Sequence, residues 1–357
     1  MKKFYEGTVV TCRVRLARNL SGYNFASTLT DRAVAKEIIN KTFSLLSQFG
    51  SFDLYEISKI TAEHAERLKE DYVISEALRK NTFSGAVAVL KNSPLSVMIN
   101  EEDHIRSQCI LKGEDLLTAY SKLAPLDRWL NNNLKFSKSQ NYGFLTACPT
   151  NLGTGLRASA MMFLPTLSRN DMMNELYHKA KERGLTVRGV FGEGSGSQSC
   201  LYQVSNEVTL GKSEVDIIRT VQGYVEEIAN IEQINSLTYY NRNKLKVEDE
   251  IVRAVAVLNS CKLLSYEEFT HLMTKLKWGV MLKLIKVKDV LALDDLIIKC
   301  RPYSLRWAYS DFQSVDNRAI RELFNKKYTA GVEKEDCLMQ AFRAEYVKNS
   351  LSKIIIN

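Results

Sequence analysis

The sequence predicts an α+β chain, a front part that mixes strands with helices followed by an all-helical part. Thr8–Ala17 alternates Val10, Cys12, Val14 and Leu16 with Thr11, Arg13 and Arg15, the period of a strand. Gly85–Ile99 reads as a hairpin, with Val87 and Val89 before a turn at Asn92–Pro94 and Leu95, Val97 and Ile99 after it. Composition then shifts: 14 of the 17 glycines fall before residue 212, and Pro302 is the only proline after Pro165. From about residue 236 onward the chain is rich in Lys, Leu and Ile, with helical spacing around Val252–Leu264, Leu272–Leu284 and Ala319–Tyr328. A boundary near 235 divides the 357 residues into 1–235 and 236–357, each long enough for its own core.

The remaining elements follow in order. Thr30 caps a helix carrying Val34, Ile38, Leu45 and Phe49, which Gly50 stops. Ala62–Leu78 reads as one helix, and Asp115–Leu130 as another, bent at Pro125. Ser168 starts a helix with Met172, Met173 and Leu176, ended by Gly184. Leu185–Phe191 and Leu201–Leu210 read as strands, and Ser213-x-x-Asp216 resembles a capping box before a helix with Ile217, Val221, Val225 and Ile228.

Composition narrows the function. A hydrophobic content of 45% and a charged content of 25% are those of a globular protein. The start, MKKFYEG, has no apolar leader core, and no run approaches membrane-helix length, which points to the cytoplasm. Seven scattered cysteines form no C-x-x-C pair, so neither a disulfide framework nor a zinc site is expected. A net charge of +8 favours anionic partners, but no aromatic–basic motif or basic block suggests direct nucleic-acid binding.

The stretch Tyr142–Met162 is the organising one. A short strand with Phe144 and Leu145 reaches Cys148, Pro149 turns the chain, and Gly153 and Gly155 precede an apolar run read as a helix. Glycines before a helix leave backbone N–H groups facing an anion, and Arg157 at the helix start can grip phosphate bidentately. A glycine turn beside a buried thiol is the alternative. No Walker A loop is present. Gly153–Ala158 satisfies G-x-G-x-x-A, but Asp171–Glu182 reads as helix where a second strand should end in an acidic residue, so dinucleotide binding is not expected.

Other charged positions gain meaning together. Arg13 and Arg15 are same-face neighbours that repel unless they share an anion; two solvated arginines are the alternative. Glu101, Glu102 and Asp103 follow the hairpin, with Arg106 three residues on, either as a solvated acidic loop or as a mixed site. Arg188 leads into Gly192-Glu193-Gly194, either a mobile surface loop or a carboxylate that approaches a ligand closely. Five arginines suit ATP, which carries about four negative charges and needs a cationic cage plus Mg²⁺. Carboxylates at Glu101 and Glu193 suit a guanidinium acceptor.

Four ordered motifs carry a resemblance: TCRVRLARN at 11–19, NEEDHIR at 100–106, TACPTNLGTGLRAS at 146–159 and RGVFGEGS at 188–195. Over residues 8–235 the chain closely resembles the phosphagen (guanidino) kinase catalytic domain. QVSNEVTLGKSE at 203–214 resembles its bacterial branch, the McsB-type protein-arginine kinases. The resemblance implies a large antiparallel sheet flanked by helices, then an all-α C-terminal domain that dimerises. It also implies ATP, arginine-containing protein substrates, a role in bacterial stress response and protein quality control, an activator protein and a Clp-type protease system.

Carried over by position, Arg13, Arg15, Arg106, Arg157 and Arg188 hold the ATP phosphates. The nucleotide site is expected along Thr11, Cys12, Arg13, Val14 and Arg15, along Arg157, Ala158, Ser159, Ala160 and Met161, and along Arg188, Gly189, Val190, Phe191, Gly192 and Glu193. Glu101 orients and deprotonates the guanidinium, Glu193 holds its other side, and Cys148 lies near the reacting nitrogen as a thiolate. No protein metal ligands are expected.

The chain departs from the family at Cys12 in place of Ser or Thr, at Ala147 in place of Ser, and at Tyr72 in place of a nucleotide-contacting His. The McsB-type phosphoarginine-reading motif R-D-x-x-R-A finds only Val315-Asp316-Asn317-Arg318-Ala319, so allosteric sensing is not expected. Creatine and arginine kinases place about a hundred residues of helical domain before the first arginine motif. Only ten residues precede Thr11 here, which suits a protein-borne arginine better than free arginine. A small-guanidine kinase and a non-catalytic phosphoarginine-binding adaptor are the alternatives.

Overall fold

The computed structural model describes residues 7–113, 115–189, 199–314 and 335–356. Its centre is an eight-stranded sheet in the order β2-β3-β4-β5-β1-β8-β10-β9, with every neighbouring pair antiparallel. The strands are β1 (Val9–Arg18), β2 (Phe52–Glu56), β3 (Ala86–Leu90), β4 (Leu95–Ile99), β5 (Ile105–Lys112), β8 (Leu156–Phe163), β9 (Leu185–Gly189) and β10 (Leu201–Asn206). A separate two-stranded ribbon joins β6 (Lys138–Ser139) to β7 (Gly143–Phe144). This is the large antiparallel sheet that the resemblance implied.

Alternation along β1 sorts the two faces. Cys12, Val14 and Leu16 are buried with Leu156, Ala158, Ala160, Met162 and Val204 in the main core. Helices α1 (Arg32–Phe49), α4 (Leu116–Asn133) and α7 (Glu214–Arg242) cover that face, contributing Ile38, Leu123 and Val221. Asp31, rather than Thr30, caps α1, its carboxylate accepting from the Ala33 amide at 2.7 Å, and Gly50 ends the helix as expected. Ser213 caps α7 as the capping-box reading required, accepting from the Asp216 amide at 3.1 Å. That helix runs unbroken through residue 235.

Several sequence readings are corrected. The run after Gly155 is strand β8, not a helix, and Arg157 is its second residue. β8 lies between β1 and β10 near the sheet centre, so Leu156–Phe163 is apolar on nearly every position and its alternation is masked. Ala62–Leu78 is two helices, α2 (Ala62–Glu70) and α3 (Glu76–Lys80), broken where Tyr72 takes φ 59°. The helix expected from Ser168 is α5 (Pro165–Arg169) and α6 (Met173–Glu182), parted at Asp171 with φ 54°. Arg106 sits on β5, a strand that its short apolar content concealed.

The C-terminal part is helical among the described residues, with α8 (Lys244–Ser260), α9 (Tyr266–Met281), α10 (Leu291–Lys299), α11 (Pro302–Ser314) and α12 (Glu335–Ile354). Ala254, Leu258, Phe269, Met273, Leu293 and Val347 form its core. It also packs on one end of the second sheet face, where Phe163, Val247, Ile251 and Trp278 cluster with Val10 and Leu201. Among the described residues no helix is long and apolar enough to cross a membrane. The helical spacing expected at Ala319–Tyr328 and the degenerate motif at Val315–Ala319 lie outside the described residues.

Candidate active site

The half-buried middle of the second sheet face is a field of arginines, and strand register builds it. Arg15 stands opposite Arg157 across β1 and β8, and Arg13 stands opposite Ser159. Arg106 pairs with Ala17 across β1 and β5, and Arg188 pairs with Gln203 across β9 and β10. The even alternation of side chains therefore sets all five on one side. Like charges opposite one another oppose sheet pairing. Burial lowers the Arg13 guanidinium to about 10, assisted by Arg106 and Arg157. Burial followed by Arg13, Arg106 and Arg157 lowers Arg15 well below its usual value. Burial followed by Arg188 and Arg106 lowers Arg157. Among the described residues no carboxylate lies within ion-pair distance of Arg13, Arg15 or Arg157, and Arg15 Nε is buried without a hydrogen-bond partner. Such a face is stabilised by a multivalent anion.

Cys12, Val14, Ala158 and Ala160 lie on the opposite face, buried under the helices, so their side chains do not meet the arginines. Thr11, Ser159 and Met161 share the arginine face, lining a cavity of about 120 Å³ with Arg13, Tyr72 and Gln203. Gly189 ends β9 beside Arg188, whereas Val190, Phe191, Gly192 and Glu193 lie outside the described residues.

The acidic triplet is resolved into three different fates by a tight turn. The Asn100 amide donates to the His104 carbonyl at 2.9 Å, and Asn100 takes φ 54°. Glu101 is 8% exposed and accepts from Arg106 Nη1 at 2.6 and 2.7 Å and from Ser75 Oγ at 2.5 Å. Burial raises its pKa, but Arg106, Ser75 and the Glu102 amide outweigh it and hold the carboxyl below its usual value. Asp103 turns inward, accepting from Asn19 Nδ2 at 2.6 Å and from the Ala147 amide at 2.7 Å. Asp103 thereby ties down the loop that carries Cys148. Glu102 alone presents a half-buried carboxylate, and Cys148 lies near enough to favour its charged form slightly. Burial, then Asp103 and Glu101, push the Glu102 carboxyl above its usual value against the pull of Arg106.

The Cys148 loop is held from beneath. Arg18, fully buried, donates to the Thr154 carbonyl at 2.8 Å and to Asp127 at 2.9 Å, and its guanidinium lies 3.6 Å from the Phe144 ring centroid. Gly155 takes φ +62°, and a Cβ there would stand 2.5 Å from the Ala17 carbonyl oxygen, so only glycine permits this approach of loop to β1. Cys148 Sγ also lies 3.0 Å from Thr150 Oγ1.

The structure thus brings Arg13, Arg15, Arg106, Arg157, Glu101 and Cys148 to one corner of the sheet. It adds Glu102, which the sequence reading mentioned only as part of an acidic run. Nothing in the sequence distinguishes Glu101 from Glu102, because the turn decides which carboxylate faces Arg106. No group of three or more His, Cys, Asp or Glu suited to a metal is assembled among the described residues.

Comparison with known proteins bears on the same residues. A family model described as ATP:guanido phosphotransferase, C-terminal catalytic domain, matches residues 33–235, beginning after Arg13 and Arg15. One described as Protein-arginine kinase McsB C-terminal domain matches residues 244–354. A protein-arginine kinase from Clostridium tetani (strain Massachusetts / E88) is 35% identical over 347 residues, covering 97% of this chain and 96% of its own. Among solved structures, the duplicated taurocyamine kinase from Schistosoma mansoni with bound transition state analog components aligns with a TM-score of 0.58 at 27% identity. That alignment covers 68% of this chain and 36% of the duplicated one. A lombricine kinase aligns with a TM-score of 0.56 at 25% identity, covering 63% of this chain and 66% of its own.

Proposed function

The chain belongs to the ATP:guanido phosphotransferase family, and on that footing we propose that it is a protein-arginine kinase, moving the γ-phosphoryl group of ATP to arginine side chains of proteins. The observation that carries this reading is the arginine field running up to Glu102 and Cys148, in which Arg13, Arg15 and Arg157 have no carboxylate partner among the described residues. Arg13, Arg15, Arg106, Arg157 and Arg188 cradle the phosphates, neutralising charge that would otherwise repel the incoming nucleophile. A guanidinium keeps its proton up to a pKa above about 12 and is a poor nucleophile until it loses one. As a guanidinium nitrogen bonds to the γ-phosphorus, the bond from that phosphorus to the β–γ bridging oxygen breaks, ADP leaves, and the nitrogen's proton passes to a carboxylate.

Glu102 is the carboxylate for that proton. Glu101, the base expected from the sequence, already spends both oxygens on Arg106 and Ser75, so its role is to aim Arg106. Cys148 orients Glu102 and lies beside the reacting nitrogen. Glu193 is proposed, on its motif alone, for the other side of the guanidinium. Magnesium would ride on the nucleotide oxygens, as it commonly does with few protein ligands, and would spread the developing phosphate charge. We further propose division at about residue 235, homodimerisation through the C-terminal domain, a cytoplasmic location, and work with an activator and a Clp-type protease in stress response.

Incubation with ATP, Mg²⁺ and an unfolded Arg-rich protein, followed by mass spectrometry under non-acidic handling, tests the reading. Phosphate localised to arginine supports it; phosphate on serine or threonine alone, or none at all, defeats it.

A further inference from the structure

The segment QVSNEVTLGKSE at 203–214 stands out in the sequence, yet the transfer step uses none of its side chains. Its first half leaves the sheet where β10 ends at Asn206. The ladder between β10 and β8 stops at the Ser205–Ser159 pair, and the Asn206 side chain then takes the ladder's place. Its amide oxygen accepts from the Ala158 amide at 2.8 Å, and its amide nitrogen donates to the Leu156 carbonyl at 3.0 Å. Those are the backbone groups on either side of Arg157. Ser205 Oγ accepts from Arg157 Nη2 at 3.1 Å. Adjacent residues at one strand end thus hold both the backbone and the guanidinium of Arg157.

Three residues on, the Thr209 hydroxyl lies 2.9 Å from the Thr150 carbonyl and 2.7 Å from the Leu152 carbonyl, sharing its single proton between them. Both carbonyls follow Cys148 in its loop, whereas the Ala147 amide before Cys148 is held by Asp103. The approach is close: a Cβ on Gly153, at φ +108°, would stand 2.8 Å from the Thr209 carbonyl oxygen. Ser205, Asn206 and Thr209 are 1%, 4% and 5% exposed, while Val208 and Leu210 are 42% and 46% exposed. The chain here buries hydroxyl and amide groups and leaves apolar side chains outside. Burial of polar groups costs solvation unless hydrogen bonds offset it, so these side chains are placed for what they hold.

We propose that Ser205, Asn206 and Thr209 are positioning residues that fix the distance between Arg157 and the loop carrying Cys148. The inference rests on the proposed function, which puts phosphate on Arg157 and the reacting nitrogen beside Cys148. Transfer requires donor and acceptor to be aligned within a fraction of an ångström. Here the two groups come from separate pieces of chain, a central strand and a loop, and the span 205–209 links them. Ser205 and Asn206 set the phosphate-gripping side and act on nucleotide binding. Thr209 sets the acceptor side and acts on turnover.

Two small substitutions separate these roles. Thr209→Val keeps the shape and removes the hydroxyl; Ser205→Ala removes the partner of Arg157. The readouts are phosphorylation of an unfolded Arg-rich protein, ATP affinity by calorimetry, and iodoacetamide labelling of Cys148. Thr209→Val should lower turnover at saturating ATP by roughly tenfold or more with ATP affinity within about twofold, and bound ATP should no longer slow Cys148 labelling. Thr209→Ser should recover turnover to within about threefold of the unmodified protein. Ser205→Ala should weaken ATP binding by roughly tenfold and leave turnover at saturating ATP within about twofold. A purely structural role would lower the melting temperature in both without this opposite split. Normal turnover in Thr209→Val, the same kinetic defect in both variants, or Thr209→Ser no better than Thr209→Val overturns this inference alone. An unmodified protein that puts no phosphate on protein arginine overturns the proposed function instead; Cys148 labelling that ATP slows in the unmodified protein but not in Thr209→Val would still support the tie.

Discussion

Arg15 and Arg157 face each other directly across β1 and β8, two cations paired in register with no carboxylate between them among the described residues. Cross-strand like charges cost stability, on the order of 0.2–1 kcal/mol, and each also loses hydration in the half-buried face. Arg15→Gln should therefore raise the melting temperature of the nucleotide-free protein while weakening ATP binding by about 1.5–3 kcal/mol, the worth of a charge-assisted hydrogen bond. Calorimetry with and without ATP reads both terms. A variant that is less stable and binds ATP as before would show that the pair is structural.

Glu102→Gln should lower turnover by about 10²–10⁴-fold, the usual contribution of a general base, with ADP affinity nearly intact. Glu101→Gln should instead weaken nucleotide binding and turnover together, because Arg106 loses the partner that aims it. Steady-state kinetics of both variants separate the roles. If Glu101→Gln shows the pure turnover defect and Glu102→Gln does not, the assignment reverses.

Much of this corner was legible in the sequence, and the failures have physical causes. Alternation exposed β1 and its two arginines because one face is core and the other is not. The same logic failed at β8, where Met161 and Phe163 follow Arg157 and Ser159 on the arginine face, so the second half of the strand is apolar on both sides and imitates a buried helix. The choice between Glu101 and Glu102 was invisible because it depends on a five-residue turn, not on composition. Tyr72 carried no sign that it would break a helix at positive φ and meet Arg301, more than two hundred residues away.

The raised pKa of Glu102 gives a pH signature. Protonation removes the base, so turnover falls as pH drops through the folded-state value. Because burial, Asp103 and Glu101 lift that value above the ordinary 4.5, the acid limb should begin at higher pH than for a free glutamate. The limb should vanish from the residual activity of Glu102→Gln. An acid limb at the ordinary position, or one retained in the variant, would contradict the assignment.

Thiol chemistry offers an independent check. Burial pushes Cys12 and Cys300 up to about 12 and Cys109 and Cys200 up to about 11, so these should alkylate slowly. Cys148, partly exposed beside Glu102 and Arg157, should react with iodoacetamide, and ATP should slow its labelling specifically. Peptide mapping that finds Cys148 labelled at the same rate with and without ATP would move the phosphates elsewhere.

The buried Lys277–Asp294 pair joins α9 to α10. Lys277→Met alone strands a carboxylate in the interior and should cost about 3–5 kcal/mol, whereas the double variant Lys277→Met with Asp294→Leu should recover most of it. Denaturant unfolding measures both; equal destabilisation by the single and double variants would contradict this reading.

The most direct test of the central claim compares acceptors at equal guanidinium concentration, with ATP and Mg²⁺, and with the product kept out of acid because phosphoramidates hydrolyse there. A protein-arginine kinase should phosphorylate an unfolded Arg-rich protein much faster than free arginine, and Glu102→Gln should lower both rates by about 10²–10⁴-fold. Faster phosphorylation of free arginine than of the protein would contradict the account and identify a small-guanidine kinase instead.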